Sequence, residues 1–401
     1  MPKIIIERTV DDYVDMLVSY FNTISNESFL KVSKGEITRE EFLFDAENYL
    51  YKVLPQNRIN DTEEIMVKFQ SYLWGFSVLD PIIADEDITD IKVIFHNHIR
   101  IKKKGERMGA GVEFPSAKSY ERFINSIATR NGKNLSLINS ILSFTDNDSS
   151  DNWTLRFTIA LDSVTSSREP VLHIRKLPKE HKSLTYFEKN GLLVNEKQNE
   201  YFKNRIREAT GILIVGKTGS GKTIFYNGLL DYIPHSKAVL LIQDNEELNN
   251  KGKDIDYVPH PEMIFLHTLM TNGEGKVTYT LEDLARMAML FDVDYIGIGE
   301  VKGGEAKYLL NCIMTGAIGM CTAHGSSVED GMDKLADYVT YDTPYTKEQA
   351  LEMLKRLNTV VYVQDFEIKD VAEVMGYDDV SKKLIYHHIT FEKKIKSSHR
   401  E

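Results

Sequence analysis

The sequence predicts an α/β fold in which a parallel-centred sheet follows a small α+β domain and a helical extension. Apolar residues recur at helical spacing near the start of the chain, and short alternating runs lie between 91 and 175. From 211 onward, apolar strand-like runs alternate with helical stretches, which is typical of a parallel sheet. A chain of 401 residues is long enough for two or three domains.

The first part of the chain is predicted to be helical. Val10, Val14, Leu17 and Phe21 fall on one face of a helix. Residues 38–41 have the sequence of a capping box, which starts a second helix, and residues 61–64 start a third. We assign residues 1–64 to a helical N-terminal extension.

The next segment changes from helical to mixed patterning. Strands are predicted at 91–94, 99–101, 155–159 and 171–175, with a helix over 118–130. We therefore assign 65–180 to an α+β domain and 181–195 to a linker. Residues 196–401 form the last domain, with strands near 238–243 and 295–299 and helices near 282–291 and 304–315.

A glycine-rich loop at 216–223, with sequence GKTGSGKT, follows the apolar run 211–215 and precedes a helical pattern. Its glycines permit positive φ, so the N–H groups of the turn can converge on an anion with help from the helix dipole. This strand–loop–helix context predicts a phosphate-binding loop for ATP and Mg²⁺. The nucleotide-binding residues predicted within it are Gly216, Thr218, Gly219, Ser220, Gly221, Lys222 and Thr223. Lys222 can reach the β- and γ-phosphates, and the Thr223 hydroxyl can ligate Mg²⁺.

Acidic residues follow two further strands. Glu300 ends the apolar run 295–299, and a cluster of acids that includes Asp244 and Glu247 ends the run 239–243. A carboxylate at a strand end can hold Mg²⁺ or orient the water that attacks a γ-phosphate.

Four motifs in order resemble the secretion ATPase superfamily, the hexameric motors of type II and type IV secretion, tight-adherence and type IV pili, and archaeal surface filaments. They are the phosphate loop 216–223, an aspartate box at 242–248, an atypical Walker B segment over 284–303, and a histidine box at 315–326. The similarity covers about residues 65–375 and is greatest to the tight-adherence and conjugation ATPases. It implies a RecA-like domain behind an N-terminal domain.

The resemblance also implies roles for individual residues. Glu300 matches the catalytic glutamate, Asp244 and Glu247 match acids placed near Mg²⁺ and the water, and His324 matches a γ-phosphate sensor. Arg156 and Arg175 match N-terminal-domain arginines that can reach a nucleotide.

Several positions depart from the family pattern. Gln243 stands where an acid is usual, and Lys302 replaces an arginine after Glu300. These substitutions indicate a divergent member that keeps Lys222, Glu300 and His324.

Composition limits the function classes. The net charge of −11 disfavours a protein whose main task is coating nucleic acid, so no direct nucleic-acid binding is expected. Two cysteines, Cys312 and Cys321, exclude a disulfide framework and are expected in the core. The first eight residues are too short for a signal peptide, and no stretch is long and apolar enough to cross a bilayer.

These observations lead us to expect a cytoplasmic ATPase at the inner face of the cell membrane. The resemblance implies a homo-hexamer that works with an integral membrane platform protein in pilus assembly, protein secretion or conjugative transfer. Two alternatives remain at this point: a RecA-like nucleic-acid translocase or helicase, and a nucleotide-gated scaffold with little turnover.

Overall fold

The computed structural model describes residues 8–23, 31–32, 36–137, 140–180, 182–244, 246–249, 258–269, 278–341 and 343–391. The chain divides into two compact units, Met1–Pro178 and Lys179–Glu401. The predicted mixed α/β class is confirmed. Within the described residues, no helix is long and apolar enough to cross a membrane.

Among the described residues, the first unit contains the helices α1 at Val10–Thr23, α2 at Arg39–Val53 and α3 at Thr62–Trp74. A short 3-10 helix, Gln56–Asp61, precedes α3. Thr38 and Glu41 form the predicted capping box, in which each side chain accepts a hydrogen bond from the other's backbone N–H. Leu17, Phe42 and Phe69 are fully buried between the helices.

The rest of this unit is an antiparallel sheet with helices. The order in the sheet is β3-β2-β1-β6-β5-β4. The strands are β1 Ile88–Phe95, β2 His98–Lys103, β3 Glu106–Gly109, β4 Ile141–Asp146, β5 Trp153–Ala160 and β6 Val171–Pro178. The helices are α4 Asp80–Ala84 and α5 Ala117–Arg130, with 3-10 turns at Ser77–Leu79 and Asp162–Val164. Alternate strand residues and one face of α5 form a single apolar core.

The second unit is built on an eight-stranded sheet of order β14-β13-β12-β7-β11-β10-β8-β9. The strands are β7 Gly211–Val215, β8 Val239–Gln243, β9 Met263–His267, β10 Tyr295–Ile298, β11 Ile318–Ala323, β12 Thr359–Gln364, β13 Glu367–Asp378 and β14 Lys383–His388. The pairs from β12 through β9 are parallel, whereas β13 and β14 pair antiparallel. The predicted parallel centre is therefore present.

Helices cover both faces of this sheet. They are α6 Leu184–Lys189, α7 Glu196–Glu208, α8 Lys222–Leu230, α9 Leu281–Ala288, α10 Glu305–Met314, α11 Val328–Val339 and α12 Lys347–Leu354. Leu213 and Val215 of β7 face one apolar cluster, and Ile212 and Ile214 face the other. Burial on both faces explains why the central strands are continuous apolar runs.

The predicted linker contains structure of its own. Helix α6 lies within 181–195, Ser183 caps its first turn, and Leu184 is fully buried. His181 lies outside the described residues. The predicted helix at 282–291 is shorter in the structure, because α9 ends at Ala288.

We expect Gly297→Ala to destabilise the second unit by about 1–3 kcal/mol, because a buried position would be overpacked. A Cβ at Gly297 would lie 2.1 Å from the Tyr226 hydroxyl and 2.3 Å from Leu241 Cδ2. Urea unfolding measures the change. Gly376→Ala is the matched control, since its added Cβ would approach, among the described atoms, only Ile385 Cδ1 at 4.0 Å. Equal unfolding midpoints for the two variants would contradict this packing account.

Candidate functional site

The predicted site residues of the second unit follow the carboxyl ends of adjacent parallel strands. The phosphate loop follows β7, Asp244 follows β8, Glu300 lies just beyond β10, and His324 follows β11. Because parallel strands end at one edge of the sheet, these side chains meet there. This is the edge at which α/β sheets bind ligands.

The loop at 216–221 has the backbone conformation of an anion cradle. Gly219 and Gly221 have φ of 77° and 104°, and Gly221 is the residue that caps helix α8. A Cβ at Gly216 would lie 2.3 Å from the Val363 carbonyl oxygen and 2.6 Å from Ser220 Oγ. The glycines at 216, 219 and 221 are thus required by close approach or by positive φ.

Lys222 and Ser220 line the buried side of this loop. Lys222 Nζ donates to the carbonyl oxygens of Gly216 and Lys217, at 2.9 and 3.1 Å. Ser220 Oγ is buried and has no hydrogen-bond partner within the described part of the chain. By contrast, residues 217–219 are exposed. A buried cation, an unpartnered hydroxyl and an open glycine turn fit the phosphate groups of a nucleotide.

Glu300 and His324 are joined to this loop. His324 Nε2 lies 2.9 Å from Glu300 Oε1, and its Nδ1 lies 3.4 Å from the Gly216 carbonyl oxygen. Both partners are acceptors, so the imidazolium form satisfies both contacts. Thr322, nearby on β11, donates its hydroxyl to the Gly299 carbonyl oxygen at 2.7 Å, which fixes the backbone before Glu300.

Lys302 bridges two of the predicted acids. Its Nζ lies 2.9 Å from Asp244 Oδ2 and 3.0 Å from Glu300 Oε2. Burial would raise the pKa of Glu300, but the hydrogen bond and charge of Lys302, with His324 and Lys222 nearby, lower that pKa overall. Burial would lower the pKa of Lys302, but its bonds to Asp244 and Glu300 raise it. Glu300 is therefore ionised at neutral pH.

Glu247 contacts the other end of the loop. Its Oε2 accepts a long hydrogen bond, 3.4 Å, from the Thr223 hydroxyl. The described residues contain no group of three or more His, Cys, Asp or Glu side chains that could hold a metal ion. Mg²⁺ usually keeps several waters and takes only one or two protein ligands beside phosphates. Thr223 and Asp244 are of the type that serves this role.

Gln243, the departure from the family pattern, holds the loop that carries Asp244 and Glu247. Its side chain is buried, and Oε1 accepts from the N–H groups of Glu247 and Leu248 at 3.0 and 2.7 Å. Its Nε2 donates to the Leu248 carbonyl oxygen at 3.1 Å. Asn227 on α8 also donates, to the Glu247 carbonyl oxygen at 2.9 Å. An amide offers a donor as well as an acceptor, whereas an ionised carboxylate only accepts, so glutamine at this position is the signal in the sequence for a loop anchor.

Arg156 and Arg175 belong to the first unit. In the register of the sheet, Arg156 on β5 lies directly opposite Arg175 on β6. Asp90 on the neighbouring strand β1 lies opposite Arg175 on the other side of β6. Arg156 Nε is buried without a hydrogen-bond partner among the described residues. Like charges directly opposite each other are unfavourable, and the carboxylate of Asp90 offsets part of the charge of Arg175.

More than half of the chain is similar to a known protein family. The model of the type II/IV secretion system protein family matches residues 154–364, slightly more than half of the 401 residues. The chain belongs to this family. The matched segment includes the phosphate loop, Glu300 and His324, so the predicted secretion ATPase superfamily is confirmed.

Two curated relatives illustrate the similarity. VirB11, a type IV secretion system protein of Brucella suis, is 27% identical over 227 residues, covering 53% of this chain and 59% of its own length. An uncharacterised protein of Methanocaldococcus jannaschii is 24% identical over 329 residues, which cover 82% of this chain and 56% of that protein. The chain thus spans less than two thirds of the length of either relative.

Two solved structures have a similar fold. The pilus retraction motor PilT with bound ADP has a TM-score of 0.50 at 17% identity, covering 77% of this chain and 80% of PilT. The DotB ATPase of Yersinia pseudotuberculosis has a TM-score of 0.51 at 14% identity, and the match covers 78% of this chain and 76% of DotB. At this level of identity the likeness concerns the fold alone.

Replacing Gln243 with leucine should loosen the loop behind the site, because two N–H groups and one carbonyl lose their buried partner. We expect a loss of about 2–5 kcal/mol in stability and faster amide hydrogen exchange at residues 247 and 248. Gln243→Glu should also destabilise the protein. The carboxylate keeps the acceptor for the two N–H groups, but its second oxygen faces the Leu248 carbonyl oxygen, and two acceptors repel each other. Unchanged exchange in Gln243→Leu would show that the side chain does not anchor the loop.

The acid stability of the first unit should depend on Asp90. Burial would raise its pKa, but the bonds from His173 and Thr89 and the charge of Arg175 lower it from 3.8 to about 2. Because the pKa of Asp90 is lower in the folded state than in the unfolded state, its ionised carboxylate stabilises the fold. This contribution is complete above pH 3.8 and is lost as pH falls through about 2. Asp90→Asn should remove this component, so its stability should change less than the wild type's between pH 4 and 2. Parallel urea titrations of both proteins would test this, and identical pH profiles would contradict it.

Proposed function

We propose that this chain is a cytoplasmic motor ATPase that couples Mg-ATP hydrolysis to pilus assembly, protein secretion or conjugative transfer across the cell envelope. One observation carries the proposal. His324 contacts both the Glu300 carboxylate and the Gly216 carbonyl of the phosphate loop, so a base, a histidine and a phosphate cradle form one connected site.

The loop binds the phosphate groups of ATP. Backbone N–H groups at 218–223 donate to phosphate oxygens, and the Ser220 hydroxyl gains the partner that it lacks within the described residues. The Lys222 ammonium supplies positive charge, exchanging its carbonyl contacts for phosphate oxygens. The cradle has no room for a side chain at Gly216, which keeps the backbone within reach of the ligand.

Thr223 and Asp244 would hold Mg²⁺, which would supply neutralising charge to the phosphates. Glu247, which contacts the Thr223 hydroxyl, orients that hydroxyl or a water beside it. The single positive charge of Lys302 lies between the carboxylates of Asp244 and Glu300 and offsets part of their mutual repulsion.

Glu300 acts as the general base. Its lowered pKa keeps it ionised, so it accepts a proton from the water that attacks the γ-phosphorus. His324 holds the carboxylate through one ring nitrogen and contacts the loop through the other, and this arrangement suits a residue that senses the γ-phosphate. Arg156 and Arg175 supply further charge for the transition state.

The family supports the remaining parts of the proposal. The sequence resemblance implies a hexamer, VirB11 is described as a type IV secretion system protein, and PilT is described as a pilus retraction motor. We therefore propose a homo-hexamer at the inner face of the cell membrane, whose partner is an integral membrane platform protein. Motion of the N-terminal domain against the RecA-like domain is its mechanical output.

The departures from the family pattern are compatible with turnover. Gln243 anchors a loop, and Lys302 keeps a positive charge where the family has arginine. The scaffold alternative rests on Gln243 and the other departures, and a measurement of wild-type turnover distinguishes it from the motor. The translocase alternative is left to experiment.

The purified chain should hydrolyse ATP slowly in the presence of Mg²⁺. We expect Glu300→Gln to lower kcat by about 100-fold or more while ATP binding is retained, because the amide cannot accept the proton of water. Lys222→Ala should lose both turnover and ATP binding, since the charge facing the phosphates is removed. Steady-state phosphate release and equilibrium ATP binding measure the two effects.

Glu329→Gln is the control for a loss of one carboxylate, because Glu329 is an exposed acid on α11. Single-stranded DNA is added in a separate series. Turnover that DNA leaves unchanged supports the secretion motor, whereas strong, salt-sensitive stimulation would favour the translocase. Turnover in Glu300→Gln equal to that of the wild type would exclude Glu300 as the base.

A further inference from the structure

The hairpin that joins β12 and β13 has an unusual tip. Its two loop residues, Asp365 and Phe366, have φ of 52° and 57°. Two-residue hairpins of this kind favour Asn-Gly or Asp-Gly, because glycine adopts positive φ without a steric penalty. A bulky side chain at the second position is strained, and strain of this sort persists where the surrounding structure holds it.

The tip is fixed to the phosphate loop. The Phe366 N–H donates to the Ser220 carbonyl oxygen at 3.0 Å, and the Leu193 N–H donates to the Phe366 carbonyl oxygen at 3.0 Å. The Phe366 ring lies 3.3 and 3.6 Å from the position that a Cβ on Gly221 would occupy. Two backbone hydrogen bonds and this ring contact therefore fix the Phe366 ring beside the last glycine of the loop.

The ring is nevertheless open to solvent. Phe366 is 44% exposed, although Leu193, which bonds its carbonyl, is only 3% exposed. A strained backbone and an exposed aromatic ring together are unfavourable for the protein alone. An aromatic ring at the rim of a phosphate site has an obvious complementary ligand, because every nucleobase has a flat π-face that stacks on such rings.

We propose that Phe366 is the stacking platform for the base of the nucleotide whose phosphates bind loop 216–223. This inference rests on the proposed function, since it requires a nucleotide in that loop. The base and the phosphates of one nucleotide are joined through a single ribose, so a base-binding group must lie near the phosphate loop. Phe366 meets this requirement through its contacts with Ser220 and Gly221. Stacking reads no base edge, so the platform accepts adenine and guanine alike.

The substitution Phe366→Gly distinguishes the contribution of the aromatic ring from that of the hairpin backbone. The variant replaces Asp365-Phe366 by Asp-Gly, the sequence that this turn favours, and it removes the ring while keeping the backbone N–H and carbonyl. We expect a fold at least as stable as the wild type and an affinity for ATP and GTP that is lower by roughly 5- to 150-fold. The affinity for inorganic tripolyphosphate, which has no base, should not change. Phe366→Tyr should keep wild-type affinity for all three.

Lys382→Gly is the matched control for the backbone. Lys382 has φ of 57° in the turn between β13 and β14, so glycine relieves the same strain there. It should leave all three affinities unchanged. Calorimetric titration of ATP, GTP and tripolyphosphate into the full chain gives each affinity, and urea unfolding gives the stability.

The outcomes separate the two proposals. Wild-type ATP affinity in Phe366→Gly overturns the platform and leaves the proposed function standing. An equal loss of ATP and tripolyphosphate affinity also overturns it, because the substitution would then have damaged the phosphate loop. Wild-type protein that binds neither ATP nor tripolyphosphate overturns the proposed function, and the platform with it.

Discussion

Parallel pairing of β7 with β11 on one side and β12 on the other is the constraint on which the candidate site depends. Val215, the last residue of β7, is the partner of Ala323 on β11 and of Tyr362 on β12. The residues that follow these three strands must therefore meet at one edge. His324 contacts Gly216 although 108 residues separate them, and the 365–366 tip contacts Ser220 for the same reason.

Acidic and basic side chains alternate along this edge of the sheet. The Glu300 carboxylate lies between Lys302 and His324, and Lys302 also pairs with Asp244. The Lys302 ammonium offsets the desolvation of the partly buried Glu300 carboxylate, which is the main reason that the pKa of Glu300 is lowered despite its burial. The arrangement holds the Glu300 carboxylate in its ionised form next to the glycine-rich loop 216–221.

Neutral groups set the positions of these charges. Gln243 ties the loop after β8 with three hydrogen bonds, and Thr322 holds the Gly299 carbonyl just before Glu300. The Glu305 carboxylate accepts hydrogen bonds from the N–H groups of Lys302 and Gly303, which fixes the turn that carries Lys302. Gln243, which departs from the family pattern, thus belongs to the support of the site, where one hydrogen-bonding solution can replace another.

The sequence by itself determined the features that depend on neighbours along the chain. The capping box at Thr38, the helix predicted over 118–130 and the glycine turn at 216–221 are local, since caps and positive φ are decided within a few residues. It did not indicate β3, which is exposed along its length and lacks an apolar pattern. Only the tertiary structure decided that Lys302 bridges Asp244 and Glu300 and that Phe366 lies against the phosphate loop. Those contacts depend on the order of strands in the sheet, and strand order follows from packing between segments that are distant in the chain.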